Sequence, residues 1–357
     1  MRRRELLGVV GSTGVASLAG CTGLFETRAV GKEPPLPESR PDAVYMPTHV
    51  EGMEMAGMQS SGSYKCALTY TYPHRFWLVT GSRREKVDIK SNDSTHLMPV
   101  VWETETGIVP PDINPQVQIT QDGESVAQLA PWPMLSQPMG FHFGDNVQLG
   151  GDGTYQVEVS IGSPSARRTG ALADNQGQDT FSFEFDFQQS ALEEIMYRDI
   201  SSDTEGTKGA VDPMGMEMMP STHVPAEADL PGTVHGSATS GDAKFVVTTL
   251  SDATPFGGRE DETYLAVSPR TPYNQYMLPL MSLSGTLSRG NDSVYDGILQ
   301  LTIDPELGYH YGAVVSAIES GDELAITVDS PPQTARHEGY ETAFFEMDEM
   351  TISPEHD

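Results

Sequence analysis

Lysine is scarce in this chain of 357 residues: Lys32, Lys65, Lys86, Lys90, Lys208 and Lys244 are all there are. Lys+Arg number 21 against 51 Asp+Glu, a formal net charge of −30. That balance excludes a nucleic-acid reader, which needs a basic surface to displace phosphate counterions. Cysteine is scarcer still, with only Cys21 and Cys66, so a disulfide framework is excluded. Beyond the N-terminus no apolar run is long enough to cross a bilayer. Catalytic signatures are missing as well: no GxSxG, HExxH, P-loop or dinucleotide fingerprint occurs, and no nucleophile–base–acid set stands out. An enzyme is not expected. What the chain does have is turn formers, Gly 35 and Pro 26, and 37% hydrophobic residues, enough for cores built from strands and turns. The length suits two domains of ~100–200 residues with tails. Self-repulsion at this charge is tolerable where salt screens it over ~3 Å at 1 M, so the composition reads as adaptation to a salty exterior.

The first 21 residues, MRRRELLGVVGSTGVASLAGC, give an address. Arg2, Arg3 and Arg4 precede a weakly apolar stretch, Leu6 to Leu18, too short to span a membrane. Arg3-Arg4-Glu5-Leu6-Leu7 resembles a twin-arginine export signal, and Leu18-Ala19-Gly20-Cys21 resembles a lipobox in which Cys21 is lipidated. Residues 22–43 are rich in proline and charge, as a tether would be. The expected location is extracytoplasmic, anchored to the outer face of the membrane through Cys21. Cys66, in the alternating run YKCALTYTY, is then an unpaired core thiol.

Self-similarity organises the rest. Gly140-Phe141-His142-Phe143-Gly144 recurs as Gly308-Tyr309-His310-Tyr311-Gly312 (310 − 142 = 168). Asp93-Ser94-Thr95-His96-Leu97 matches Asp261-Glu262-Thr263-Tyr264-Leu265 at the same offset. Ala166-Arg167-Arg168-Thr169-Gly170 pairs with Ala335-Arg336-His337-Glu338-Gly339 at nearly that offset, and Met46–Val50 echoes Met219–Val224. Ordered matches of this kind imply two homologous units, 44–190 and 219–353, joined by residues 191–218, which begin near a short helix (Ser190 as N-cap with Glu193, a capping box) and become Met-rich. Short alternating runs at Lys65–Tyr72, Lys86–Lys90, Val117–Thr120, Thr154–Ile161 and Thr180–Phe187, punctuated by Gly, Asn, Asp and Pro, predict an all-β fold of two tandem β-sandwiches.

Histidine and methionine carry the remaining chemistry. His96 and Met98 lie at i and i+2 and would share a strand face. Met134 and His142 flank a short loop that could bring them together. Thioether with imidazole suits copper, Cu(I) above all, while imidazole alone also admits Fe(II) or Zn(II). The plain alternative is that Met98, Met134 and Met139 fill the core and His142 bonds the backbone of a turn. His74, in PHRFW, reads as a satisfied turn or core residue. Met53 and Met55 read as one strand face, although thioethers of the segment Met46–Met58, with His49 and Glu51, could also catch a metal, as could Met214–Met219 beside His223.

The ordered set His96, Pro133-Met134 and His142 in GFHFGDNV, with Gly52-Met53-Glu54-Met55 as an opening strand, resembles the periplasmic iron-transport protein family over most of residues 44–190. The resemblance implies an immunoglobulin-like sandwich that binds copper, as Cu(I) or Cu(II), or Fe(II), and assists iron uptake beside a membrane permease. It implies His96, Met98, Met134 and His142 as the metal ligands, with Met139, His49 and Glu51 as secondary ones. The acidic, anchored, duplicated arrangement is similar to forms from extremely halophilic archaea. Met98 stands where the family has a carboxylate. The family's further histidine has no counterpart between Ser163 and Phe181, where Arg167 and Arg168 stand.

In the second unit the counterparts of His96, Met98, Met134 and His142 are Tyr264, Ala266, Thr302 and His310. A lone histidine holds an ion poorly, so this unit is expected to be a degenerate sandwich serving as spacer, partner surface or pseudo-dimer mate, within one chain or in a homodimer. The competing expectation is a surface interaction module with no metal site.

Overall fold

Strict alternation builds the first sheet. In Asp179–Phe187 (DTFSFEFDF) the residues Phe181, Phe183, Phe185 and Phe187 are buried while those between them face out, the two-residue period of a strand with one wet face. The computed structural model describes residues 33–173, 177–215 and 217–354. The expected leader with its Cys21 lies outside the described residues. Among the described residues no helix is long and apolar enough to cross a membrane.

The front half contains β1 (His49–Glu51), β2 (Glu54–Ser61), β3 (Tyr64–Thr71), β4 (Phe76–Thr80), β5 (Arg83–Val87), β6 (Thr95–Glu103), β7 (Gln116–Gln121), β8 (Glu124–Leu129), β9 (Trp132–Ser136), β10 (Gly140–Val147), β11 (Gly153–Ile161), β12 (Arg167–Arg168) and β13 (Asp179–Phe187). A short α1 (Gln189–Leu192) and β14 (Tyr197–Asp199), which pairs with β1, lead into the rear half. There follow β15 (Thr233–Ser240), β16 (Ala243–Leu250), β17 (Thr263–Arg270), β18 (Ser282–Arg289), β19 (Asp292–Asp304), β20 (Gly308–Val315), β21 (Asp322–Ser330), β22 (Ala335–Arg336) and β23 (Met350–Ile352). The molecule is all-β.

Two differences from the sequence reading are local. The strand expected at Lys86–Lys90 sits earlier, because the two-residue turn Gly81-Ser82, with Gly81 at φ 61°, pairs Thr80 with Arg83 and fixes the hairpin register. The Ser190/Glu193 capping box does not form. The helix starts from Gln188, which makes no side-chain cap, and the Gln189 amide donates instead to Asp152 Oδ1 at 2.8 Å.

Sheet order places the chemistry. One sheet runs β13-β11-β7-β8, and against it lies an eight-stranded sheet ordered β2-β3-β6-β10-β9-β22-β4-β5. Strand β6 is buried along its whole length. Such a run, dry on both faces, shows no alternation in its sequence. The rear sheet is ordered β15-β16-β17-β20-β19-β18-β21-β23.

The two halves exchange short strands. β22 belongs by sequence to the rear half, yet it inserts between β9 and β4 of the front sheet, with Ala335 opposite Met134 and Arg336 opposite Leu135 in parallel register. Reciprocally, β12 of the front half pairs in parallel with β19, Arg167 opposite Thr302 and Arg168 opposite Ile303. The two pairings are related by one shift (335 − 167 = 302 − 134 = 168). This register corrects the sequence pairing of Arg168 with His337: the true counterpart of His337 is Thr169, since His337 N donates to Leu135 O at 3.0 Å and Thr169 N to Ile303 O at 3.2 Å. One apolar core, from Val44 and Leu68 to Val267 and Ile326, runs through both halves.

Candidate metal centre

The period of two along β6 turns His96 and Met98 toward the same side. Opposite them on β10 is Gly144, and its missing side chain makes the space. A Cβ there would collide with His96 Nε2 and come within 3.2 Å of both Met134 Sδ and Met98 Cγ. Three of the four expected ligands therefore meet over one glycine. The fourth, His142, stands directly across the β9–β10 hairpin from Met134.

Two further imidazoles complete the cluster. His74, in the connection from β3 to β4, has its ring centroid 4.0 Å from that of His96. His337, just after the exchanged strand β22, lies 4.6 Å from His74 and 5.1 Å from His142 by the same measure. The ligand nitrogens of His74, His96 and His337 fall within 4.8 Å of one another. His74 is therefore not the satisfied residue the sequence suggested, and the rear half brings a further histidine, His337, to the cluster. The near match of Ala166–Gly170 to Ala335–Gly339 was the available signal. It pointed at the right loop, but nothing in it says that the loops trade places.

The imidazoles are held so that one nitrogen is left over. His142 Nδ1 donates to Gly140 O at 3.2 Å, and His74 Nδ1 lies 3.1 Å from Tyr72 O. His96 Nδ1 lies 2.9 Å from Asn146 Oδ1, while the amide nitrogen of Asn146 donates to His74 O at 2.8 Å, which orients that amide. Carbonyl partners at Nδ1 leave Nε2 with a bare lone pair. In His74, His96, His142 and His337 that Nε2 is buried with no hydrogen-bond partner. Burial, together with the charge of His74, holds His96 and His337 well below the usual histidine range, and burial brings His142 to about 4. At neutral pH the rings of His96, His142 and His337 are neutral and can donate a lone pair. Four unsatisfied buried nitrogens in one place would be costly without a ligand, and with two thioethers they fit a soft or borderline transition ion.

The rear half shows the same scaffold closed. His310 Nδ1 lies 3.0 Å from Gly308 O, as in His142, but its Nε2 meets the Tyr264 hydroxyl at 3.0 Å. Tyr264 also reaches Thr302 Oγ1 at 3.2 Å, packs against Gly312 where His96 packs against Gly144, and stacks on Phe256. Ala266 and Thr302 are buried and offer no thioether. The phenol caps the imidazole nitrogen that His142 leaves bare in the front half.

A cavity of about 90 Å³ opens from His74, Met98 and His337 toward the surface, and Met53, Met139 and Met214 line it with His49, Glu51 and Glu33. His49 Nε2 lies 3.1 Å from Glu51 Oε1, and the other Glu51 oxygen lies 3.4 Å from His74 Nδ1. Burial alone would raise Glu51, but hydrogen bonds from His49 and His74 outweigh it and hold the carboxyl at about 2. Arg75 bridges Glu33, at 3.3 Å, and Glu338. So the secondary residues Met139, His49 and Glu51 lie on the path to the cluster rather than within it. Cys66 is fully buried and its thiol is raised by burial, as expected of an inert residue.

Residues 87–190 match the family described as Fe2+ transport protein. Residues 228–353 match a domain of unknown function, DUF7350. Among solved structures the chain is similar to a copper-bound variant of FetP from uropathogenic Escherichia coli strain F11, with 18% identity over 38% of this chain and 97% of that one and a TM-score of 0.29. As-isolated FetP from the same strain gives 17% identity over 39% and 96%, with a TM-score of 0.28. No curated protein sequence matches the chain.

Proposed function

We propose that the chain is a non-catalytic, extracytoplasmic metal-binding protein that assists iron acquisition, held to the membrane by lipid at Cys21. In this reading residues 44–190 and 219–353 are immunoglobulin-like sandwiches forming an intramolecular pseudo-dimer. The front pocket holds copper, preferentially Cu(I), through His96, Met98, Met134 and His142, with His74 and His337 close enough to complete or exchange the shell. A membrane permease for iron is the partner this role calls for.

One observation carries the proposal: the same imidazole is left with a bare, buried Nε2 as His142 but is capped by Tyr264 as His310. The front half keeps a costly vacancy for hydrogen bonding that the rear half has filled, and two thioethers stand beside it. The match of residues 87–190 to an Fe2+ transport family supports the physiological context. Cu(I) titration against a chromophoric competitor tests it. The wild-type chain should bind one Cu(I) per molecule, and His96→Ala with His142→Ala should weaken binding at least a hundredfold. Equal, weak binding by both would leave a surface interaction module instead.

A further inference from the structure

We propose that Asn146 is a positioning residue of the inner cluster: its side-chain amide fixes which nitrogen of His96 faces the pocket and ties the His74 segment to β10. The consequence for Cu(I) rests on the proposed metal function; the hydrogen bonds stand without an ion. Asn146 lies directly opposite His96 in the register of β10 with β6, where side chains share a face. Its amide also reaches the connection from β3 to β4. Asn146 Oδ1 accepts from the His74 backbone N–H at 3.3 Å, and Nδ2 donates to the His74 carbonyl at 2.8 Å. The side chain thus pairs with the His74 backbone as a neighbouring strand would.

That double contact decides the tautomer of His96. Turning the amide over would set its NH2 against the His74 N–H and its oxygen against the His74 carbonyl, two repulsive contacts in place of two hydrogen bonds. Oδ1 is therefore the atom that stands 2.9 Å from His96 Nδ1. An amide oxygen only accepts, so Nδ1 carries the proton of the neutral ring and Nε2 keeps its lone pair. Nε2 is the nitrogen that faces Gly144, where Met98 and Met134 also converge. Without this partner the ring is free to carry its proton on Nε2. An N–H would then point toward the thioethers and close the site to a cation.

The rear half supplies an independent observation. Opposite Tyr264, in the register of β17 with β20, stands Val314 at the repeat offset (314 − 146 = 168). It packs against the small apolar cluster that contains Phe256 and Tyr264. Where the histidine is replaced, the amide across from it is replaced too. The connection from β16 to β17 is held there by Phe256 stacking flat on Tyr264, ring centroids 3.6 Å apart. Scaffold residues of the same hairpins do not change: Gly144 and Gly312 correspond, as do His142 and His310. The amide goes with the imidazole it orients, not with the fold.

Long-range proton–nitrogen correlation spectra of the metal-free, isotopically labelled full chain at neutral pH read which nitrogen of each imidazole is protonated. His96 should carry its proton on Nδ1 in the wild type and in Asn146→Asp, which keeps an acceptor, and shift it toward Nε2 in Asn146→Val. Cu(I) competition titration should follow the tautomer, at least tenfold weaker for Asn146→Val and within about fivefold of wild type for Asn146→Asp. His310, which has no such amide opposite, should be unchanged in all three. A wild-type His96 protonated on Nε2 overturns the proposal, even if neither variant folds. So does an unchanged tautomer or an unchanged Cu(I) affinity in Asn146→Val. Equal weakening by Asn146→Val and Asn146→Asp would assign the loss to packing and also overturns it. Failure of the wild type to bind Cu(I), with a His96 tautomer that still depends on Asn146, overturns the metal function and leaves the positioning role standing.

Discussion

A single hydrogen atom in place of a side chain makes the front pocket possible. At Gly144 any Cβ meets His96 Nε2, Met134 and Met98, so Gly144→Ala should displace the imidazole or the thioether. The expected result is at least tenfold weaker Cu(I) binding with a stability loss of ~1–3 kcal/mol, the usual range for overpacking, measured by competition titration and chemical denaturation. Gly312→Ala in the rear half would press on Tyr264 and spare metal binding. Protonation acts at the same scale. Burial lowers His142 and His310 to about 4, against ~6.5 in an unfolded chain. The unfolded state then binds protons first as acid is added. These two residues support the fold above pH ~6.5, and that support is lost as pH falls toward ~4, a change on the order of a few kcal/mol. Denaturant midpoints of the metal-free chain at pH 7.5, 6 and 4.5 should fall in that order; a flat profile would mean the rings are not held neutral.

Among the elements, β22 matters beyond its two residues. It fills the gap between β9 and β4, and it carries His337 to the cluster and Glu338 to Arg75. Phe76, Met134 and Ala335 form a small apolar seam where the three strands meet. Without β22 the strands β9 and β4 would present open edges, a liability for pairing with other chains. Residues 44–190 produced alone should therefore self-associate or unfold, and should bind Cu(I) at least tenfold more weakly than the full chain. Size-exclusion chromatography with Cu(I) titration checks this. A monomeric fragment with full affinity would show that the exchanged strand is dispensable.

For the molecule as a whole, the proposed reading is a division of labour between two similar halves rather than two equal sites. The halves share one core and trade strands at equivalent positions, so each completes the other's sheet. Chemically they diverge at three places: Tyr264 for His96, Ala266 for Met98 and Thr302 for Met134. The rear half keeps the geometry and gives up the donors. Its remaining contribution to the front site is the loop that follows β22. An exchange of this kind makes the two halves one thermodynamic unit, because neither sheet is complete without the other's segment.

Much of this was legible along the chain. Alternation in Thr154–Ile161 and Thr180–Phe187 marked strands, since one face of each meets water and the other the core. The repeat offset located corresponding residues, and the proximity of His96 to Met98 and of Met134 to His142 follows from strand period and hairpin closure, which are local geometry. Three things were settled only by the tertiary fold. His74 entered the cluster because the β3–β4 connection crosses the end of β6, and His337 because a parallel strand pair joins residues about two hundred positions apart. Glu33 reached Glu51 from the segment ahead of the first strand. Local periodicity records which face a residue takes. It holds no record of which distant segment comes to lie against that face, because this is decided by pairing and packing between elements that share no sequence neighbourhood.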